Sequence, residues 1–180
     1  KLFDAPPRTF VRSFDRPNLR LAMRPKAAAR KQILDFVVAH RGESGIVYAS
    51  SRDRTEKLAA FLEASEHTAL AYHAGLDAGV RSARQDRFLR EDGIVMVATV
   101  AFGMGIDRSD VRFVIHAGAP QSLEHYQQES GRAGRDEQKA YAVQLLDNSD
   151  ILELDKKISE GYPDINFIRE IYNRSEERRV

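Results

Sequence analysis

Gln128-Glu129-Ser130-Gly131-Arg132-Ala133-Gly134-Arg135 sets two arginines three residues apart, each directly after a glycine, behind a helical stretch and ahead of a β-rich run. Each guanidinium presents a planar fork of five donors that never loses its charge and matches phosphate oxygens bidentately. The glycines let backbone turn and approach a ligand without a Cβ in the way. At this spacing the two forks can grip one terminal phosphate. The same letters also describe a turn with two solvated arginines, or a G-x-x-G clamp on nucleic-acid backbone, although such clamps join two helices rather than a helix and a strand.

Three other segments end an apolar run in groups suited to phosphate. Thr99-Val100-Ala101-Phe102-Gly103-Met104-Gly105-Ile106-Asp107 offers the Thr99 hydroxyl and the bare amides of Gly103 and Gly105. It follows a strand-like run, and the carboxyl end of a parallel sheet is where ligands collect. Ile46-Val47-Tyr48-Ala49-Ser50-Ser51-Arg52 closes on two hydroxyls and a guanidinium, and Tyr72-His73-Ala74-Gly75 repeats the arrangement. Ordinary readings exist for each: a glycine-rich connection whose Phe102, Met104 and Ile106 pack under the sheet, a Ser helix cap, and a simple turn.

Other chemistries drop out. Gly103-Met104-Gly105 starts a dinucleotide fingerprint, but its third position is Arg108, and no G-x-x-x-x-G-K-[ST] phosphate loop occurs. The histidines 40, 67, 73, 116 and 125 form no i, i+4 metal pair with a Glu and no nucleophile elbow, so no metal site is expected. Zero cysteines remove thiol chemistry and fit a reducing compartment. Arg81, Arg84, Arg87 and Arg90 step by three, which drifts about 60° per step on a helix, so they fan out as a solvated surface rather than a stripe.

These residues need a scaffold, and the 180-residue length suits one domain. With 42% hydrophobic and 31% charged residues it can bury a core and keep a solvated surface. The net charge of +1 conceals a split, because residues 1–30 alone carry +6 and the remainder −5, so a bound polyanion must be held by local donors. No apolar run is long enough to cross a bilayer, and a soluble intracellular protein is expected. From Gly45 onward short β-branched runs alternate with helical patterns, which predicts repeated βαβ units. Strands are expected at Gly45–Ala49, Thr68–Tyr72, Ile94–Thr99, Arg112–Ala117 and Ala140–Leu146, and helices at Lys26–His40, Arg54–Ala64, Ala78–Arg90 and Ser122–Glu129. Residues 1–25 hold four of the six prolines and read as an extended arm with a strand at Asn18–Met23. Tyr162-Pro163-Asp164 breaks the chain before a new helical face at Ile165, Phe167, Ile168 and Ile171.

The set as a whole resembles the second RecA-like motor domain of RecQ-family DNA helicases in superfamily 2. Ser13-Phe14-Asp15-Arg16-Pro17-Asn18-Leu19 looks like the segment leading into that domain. Ile46 to Arg52 is similar to motif IV, with Ala49 and Ser50 where many relatives have Cys and Asn. Tyr72-His73-Ala74-Gly75-Leu76 matches the following block, Val97 to Asp107 resembles motif V, and Gln128 to Arg135 resembles motif VI, Q-x-x-G-R-x-G-R. The blocks keep family order over about residues 10–147, roughly three quarters of the chain.

The resemblance implies a three-layer αβα RecA-like fold with a mainly parallel sheet of about six strands. It divides the chain into a basic leading arm at 1–25, the motor domain at 26–160, and the start of a following helical module at 161–180. It implies ATP and Mg2+ as cofactors of a full-length enzyme, with neither bound by this fragment alone. Partners would be single-stranded or forked DNA and the first RecA-like domain of the same parent, with no membrane, in a bacterial cytoplasm or a eukaryotic nucleus. By resemblance Arg135 is an arginine finger on the γ-phosphate, Arg132 its companion, and Gln128 an orienting group. Asp107, Gly105, Gly131 and Gly134 belong to the nucleotide side, and Ser51, Arg52, His73, Gly75, Thr99 and Gly103 to DNA phosphates. Family members move 3′ to 5′ and take part in repair and recombination. The Walker A loop, the DExH box and the family's zinc cysteines are not in this sequence. A DEAD-box motor half, a non-catalytic docking module and a small-molecule enzyme are the competing readings.

Overall fold

A computed structural model describes residues 16–103, 106–161 and 165–170 of the chain. The expectations placed on Ser13 to Asp15, Met104, Gly105, Tyr162-Pro163-Asp164 and Ile171 therefore lie outside the described residues. Six parallel strands form one sheet in the order β1-β6-β5-β2-β4-β3. They are β1 (Leu19–Pro25), β2 (Gly45–Tyr48), β3 (Ala69–Tyr72), β4 (Val95–Ala98), β5 (Phe113–His116) and β6 (Ala140–Leu146). The helices are α1 (Ala29–Ala39), α2 (Arg52–Ala64), α3 (Ala78–Arg90), α4 (Leu123–Ser130) and α5 (Asn148–Gly161).

Strands β2, β4 and β5 are buried at every position, as expected where helices cover both faces. Alternation sends their side chains into two cores. Val47, Val95, Val97, Phe113 and Ile115 meet Ile33 and Val37 of α1 and Leu58 and Leu62 of α2. On the other face Ile46, Tyr48, Met96, Ala98 and Val114 meet Phe88 of α3 together with Phe102, Ile106 and Val111 from the β4–β5 connection. Phe102 is 1% exposed, so that connection is part of the core rather than a free loop.

Local chemistry sets the helix starts. The Ser51 hydroxyl accepts the Arg54 N–H at 3.2 Å, so α2 begins at Arg52, two residues before the expected start. The Asp77 carboxylate accepts the Gly79 N–H at 2.8 Å and starts α3. Helix α1 begins three residues later than expected because Lys26 still belongs to the sheet edge, its N–H donating to the Leu146 carbonyl at 2.9 Å.

Two findings depart from the expectations. The 14-residue α5 was not anticipated; Asp147 caps it by accepting the Asp150 N–H at 2.9 Å, and the Lys26 ammonium ties Asp150 to the sheet at 2.6 Å. Arg84 is not merely solvated, because its guanidinium donates to the Ala71 carbonyl at 2.6 Å and docks α3 on β3. The strand expected inside the leading arm pairs with β6 over seven residues, from Leu19 opposite Ala140 to Pro25 opposite Leu146.

Candidate functional site

Chain segments far apart in sequence meet around an open hollow of about 540 Å3, which gathers Gly103, Asp107, Gln128, Gly131, Arg132 and Arg135. Three elements build it. The β4–β5 connection supplies Gly103 and Asp107, the exposed side of α4 supplies Gln128, and the turn after α4 supplies both arginines. Arg135 donates to the Asp107 carboxylate at 2.8 Å and to the Ile106 carbonyl at 3.3 Å. Its side chain is 38% exposed and that of Asp107 92%. An ion pair this open is worth about 0–1 kcal/mol, enough to orient the guanidinium but not to withhold it from a stronger anion.

Asp107 is itself placed by its neighbour. Arg108 turns inward, 7% exposed, and donates to Asp110 at 2.7 Å and Asp92 at 2.8 Å as well as to the Phe88 and Glu91 carbonyls. The Asp110 carboxyl is held below the usual carboxylate range by that guanidinium. This anchor ties the connection to the end of α3 and leaves Asp107 facing out.

Arg132 lies deeper. A Cβ on Gly103 would stand 2.9 Å from its Nη2, so only glycine lets that guanidinium rest against the connection. Its Nε is buried with no hydrogen-bond partner among the described residues. Beneath it, burial pushes the Tyr48 phenol far above its ordinary range, so Tyr48 is a neutral donor to the Phe102 carbonyl at 2.9 Å. Tyr48 stacks on His116 with ring centroids 5.4 Å apart, and His116 Nε2 meets the Glu129 carboxylate at 2.8 Å. Both members of that pair are buried, at 2% and 6% exposure. Glu129 is the residue after Gln128, so the buried pair fixes the rotation of α4 that turns Gln128 outward.

Gly131 and Gly134 serve the turn rather than a ligand. The Gly131 N–H donates to Gln127 at 2.9 Å, and its missing Cβ would fall 2.8 Å from the Gln127 carbonyl oxygen. Gly134 adopts φ +60°, donates to the Val111 carbonyl at 2.8 Å, and leaves space filled by Asn18 and Ala140. Neither has an N–H left for a phosphate. Gly105 lies outside the described residues.

The remaining residues lie along the edge where β2, β4 and β3, adjacent in the sheet, all end. Ser51 and Arg52 follow β2, Gly75 follows β3, and Thr99 and Gly103 follow β4. Arg52 and Gly75 are neighbours, since a Cβ on Gly75 would lie 3.0 Å from Arg52 Nη1. Ser51 is exposed but spends its oxygen on the α2 cap. His73 differs from the expectation of a phosphate ligand. It is 4% exposed, its Nδ1 accepts the Gly75 N–H at 3.2 Å and its Nε2 meets Glu56 at 2.9 Å, so it shapes the turn and has no ring nitrogen to offer.

Sequence reasoning passed over His116, Glu129, Tyr48 and Arg108. A usable signal existed for His116 and Glu129: an ionisable residue closing the buried run Phe113-Val114-Ile115, and a carboxylate on the inward side of α4.

Comparison with known proteins gives one coherent result. Residues 27–137 match the helicase conserved C-terminal domain. The chain is 44% identical over 151 residues to the ATP-dependent DNA helicase RecQ of Haemophilus influenzae, covering 84% of this chain and 24% of that protein. It is 41% identical over 144 residues to the protein of the same name from Bacillus subtilis, covering 80% and 24%. It thus spans about a quarter of the length of these two relatives. Among solved structures, the Escherichia coli DEAD-box protein SrmB superposes with a TM-score of 0.64 at 22% identity, over 81% of this chain and 86% of that one. A DEAD box protein from Methanococcus jannaschii gives 0.63 at 25%, over 77% and 39%.

Proposed function

Because this chain belongs to the helicase conserved C-terminal domain family, in its RecQ branch, we propose that it is the second motor domain of an ATP-dependent DNA helicase and supplies the arginine half of a composite nucleotide pocket. The observation that carries the reading is the open hollow that Arg135, Arg132 and Gln128 line together. Two fixed positive charges in an open hollow suit the terminal phosphates of ATP held mainly by another wall. That wall belongs to a first RecA-like domain of the same protein. No group of three or more His, Asp or Glu residues meets among the described residues, so magnesium would be held by the phosphates and by the opposite wall. When bound, the ion would neutralise phosphate charge as the bond to the γ-phosphate breaks.

In this mechanism Arg135 leaves its exposed partner Asp107 and moves onto the γ-phosphate as negative charge develops there. The exchange is easy because the pair it abandons is weak. Arg132 holds a second oxygen from its seat against Gly103, and Gln128 orients the cleft. Ser51, Arg52, Gly75, Thr99 and Gly103 grip DNA phosphates along the strand-end edge, indifferent to base sequence. Gly103 borders both regions, so closure of the nucleotide cleft alters the grip on one strand. Repeated closing and opening steps the protein along DNA, 3′ to 5′ as in the family it resembles, and separates the duplex during repair or recombination.

DNA gripped by backbone contacts must be released by salt. With about two to four phosphate contacts, the slope of log affinity against log salt for an oligothymidine should lie between about −1.4 and −2.8. Fluorescence titration of this chain across a salt series measures it. A slope near zero would remove the phosphate-contact assignment.

A further inference from the structure

The turn that carries both arginines is held by a third arginine from the other end of the chain. Arg16 Nη1 donates to the Gly131 carbonyl at 3.0 Å, and Nη2 to the Ala133 carbonyl at 2.9 Å and the Gly134 carbonyl at 2.5 Å. Asn18 Nδ2 adds bonds to the Gly134 and Gln138 carbonyls, each at 2.8 Å. The loop's own N–H groups are met by backbone instead: Gly131 by Gln127, Arg132 by Glu129, Ala133 by Ser130 and Gly134 by Val111. The donors of the turn are thus met by backbone, while the carbonyls of Gly131, Ala133 and Gly134 receive a side chain from the other end of the chain.

Those carbonyls lie at the C-cap of α4 and in the turn just beyond it, where the negative end of the helix dipole favours a cation. A planar guanidinium can bridge several carbonyls in one plane; an ammonium acts as a point and cannot. Arg16 is fixed in its turn by the Leu19 N–H donating to its own carbonyl at 2.9 Å, directly before β1 joins β6. On the opposite side of the same turn, Arg132 and Arg135 face the hollow.

We propose that Arg16 is a positioning residue for ATP hydrolysis: its guanidinium sets the shape of the Gly131 to Arg135 turn, and through it the placement of the Arg135 finger. The proposal rests on the reading of Arg135 given above. It also makes the segment leading into the domain a structural part of the nucleotide site, so that strain on that segment reaches the finger chiefly through the Arg16 side chain, beside the Asn18 contact. Arg16 touches neither ATP nor DNA in this scheme.

The test uses the full-length protein carrying Arg16→Ala, Arg16→Lys or Arg135→Ala, with DNA-stimulated ATP turnover, KM for ATP, affinity for single-stranded DNA and thermal midpoint all measured. Misplacing a catalytic group by about 1 Å costs on the order of 10²-fold, so Arg16→Ala should lower kcat by about that factor while KM and DNA affinity stay within about twofold. Arg16→Lys, which keeps the charge and guards against a folding failure of the alanine variant, should lose nearly as much. Added guanidinium ion should restore part of the Arg16→Ala rate. A kcat within about twofold of the unaltered protein in Arg16→Lys, or a loss in both variants that follows the folded fraction and no rescue by guanidinium, overturns the proposal. Turnover that survives Arg135→Ala overturns the finger itself, an outcome distinct from a failure of Arg16 alone.

Discussion

Arg135→Ala in the full-length protein is expected to lower ATP turnover by about 10³- to 10⁵-fold, the range over which arginine fingers act in phosphoryl transfer. The size follows from where the charge sits. Exposed in the hollow and held by Asp107 at 2.8 Å and the Ile106 carbonyl at 3.3 Å, the guanidinium adds little to the stability of this chain, so its removal should leave the fold and the strand-end edge intact. Affinity for single-stranded DNA should therefore change by less than about twofold, since none of the strand-end residues contacts Arg135 in this arrangement. Arg135→Lys should recover little, because an ammonium replaces the planar fork with a single point. Steady-state ATP hydrolysis with saturating DNA, together with a binding titration on the same preparation, checks both halves. A variant that hydrolyses ATP within tenfold of the unaltered protein would mean that catalysis draws on a different cation.

The second large effect is on stability. Leaving a buried polar group without its hydrogen-bond partner costs about 1–3 kcal/mol. His116 and Glu129 are a buried pair, 2.8 Å apart, with His116 packed between Tyr48 and Tyr126. Glu129→Ala should lower the thermal midpoint of this chain by roughly 2–12 °C, given about 2–4 °C per kcal/mol for a domain of this size. Glu129→Gln, which keeps an acceptor in place, should recover a good part of the loss. Differential scanning calorimetry of the three proteins decides it. A Glu129→Ala midpoint within about 2 °C of the original would show that the pair does not hold α4 to the sheet.

Much of this architecture was legible because the physics that writes it is local. The runs at Val95 to Ala98 and Phe113 to His116 are apolar at successive positions because both faces are covered, and a run of that kind has few alternatives in an alternating α/β pattern. Caps at Ser51 and Asp77 are equally local. Helix α5 was legible too, since Ile151, Leu154 and Ile158 recur at helical spacing behind the cap at Asp147, although among its described residues only Asp150 is buried.

The site divides along the same line. Arg132 and Arg135 could be singled out because glycine and guanidinium at that spacing suit phosphate, whereas Gln128 entered only through the family resemblance. What could not be seen is which groups the chain itself consumes. His73 and the amides of Gly131 and Gly134 look available as letters, yet each is committed to a partner supplied by folding. The three bonds from Arg16 span more than a hundred residues, and nothing in the local pattern of either segment reports them. The strand-end rule picks out the edge proposed to meet DNA, but the arginine turn lies elsewhere, against Val111 and Ala140 where β5 and β6 begin.

The central claim is that one wall of the nucleotide pocket lies outside this chain. The direct measurement is ATP hydrolysis by the purified 180-residue chain with magnesium and single-stranded DNA, run beside its Arg135→Ala version. The account predicts no turnover above background from either protein. Hydrolysis by the unaltered chain that vanishes with Arg135→Ala would contradict it, because the chain would then hold a complete active site of its own.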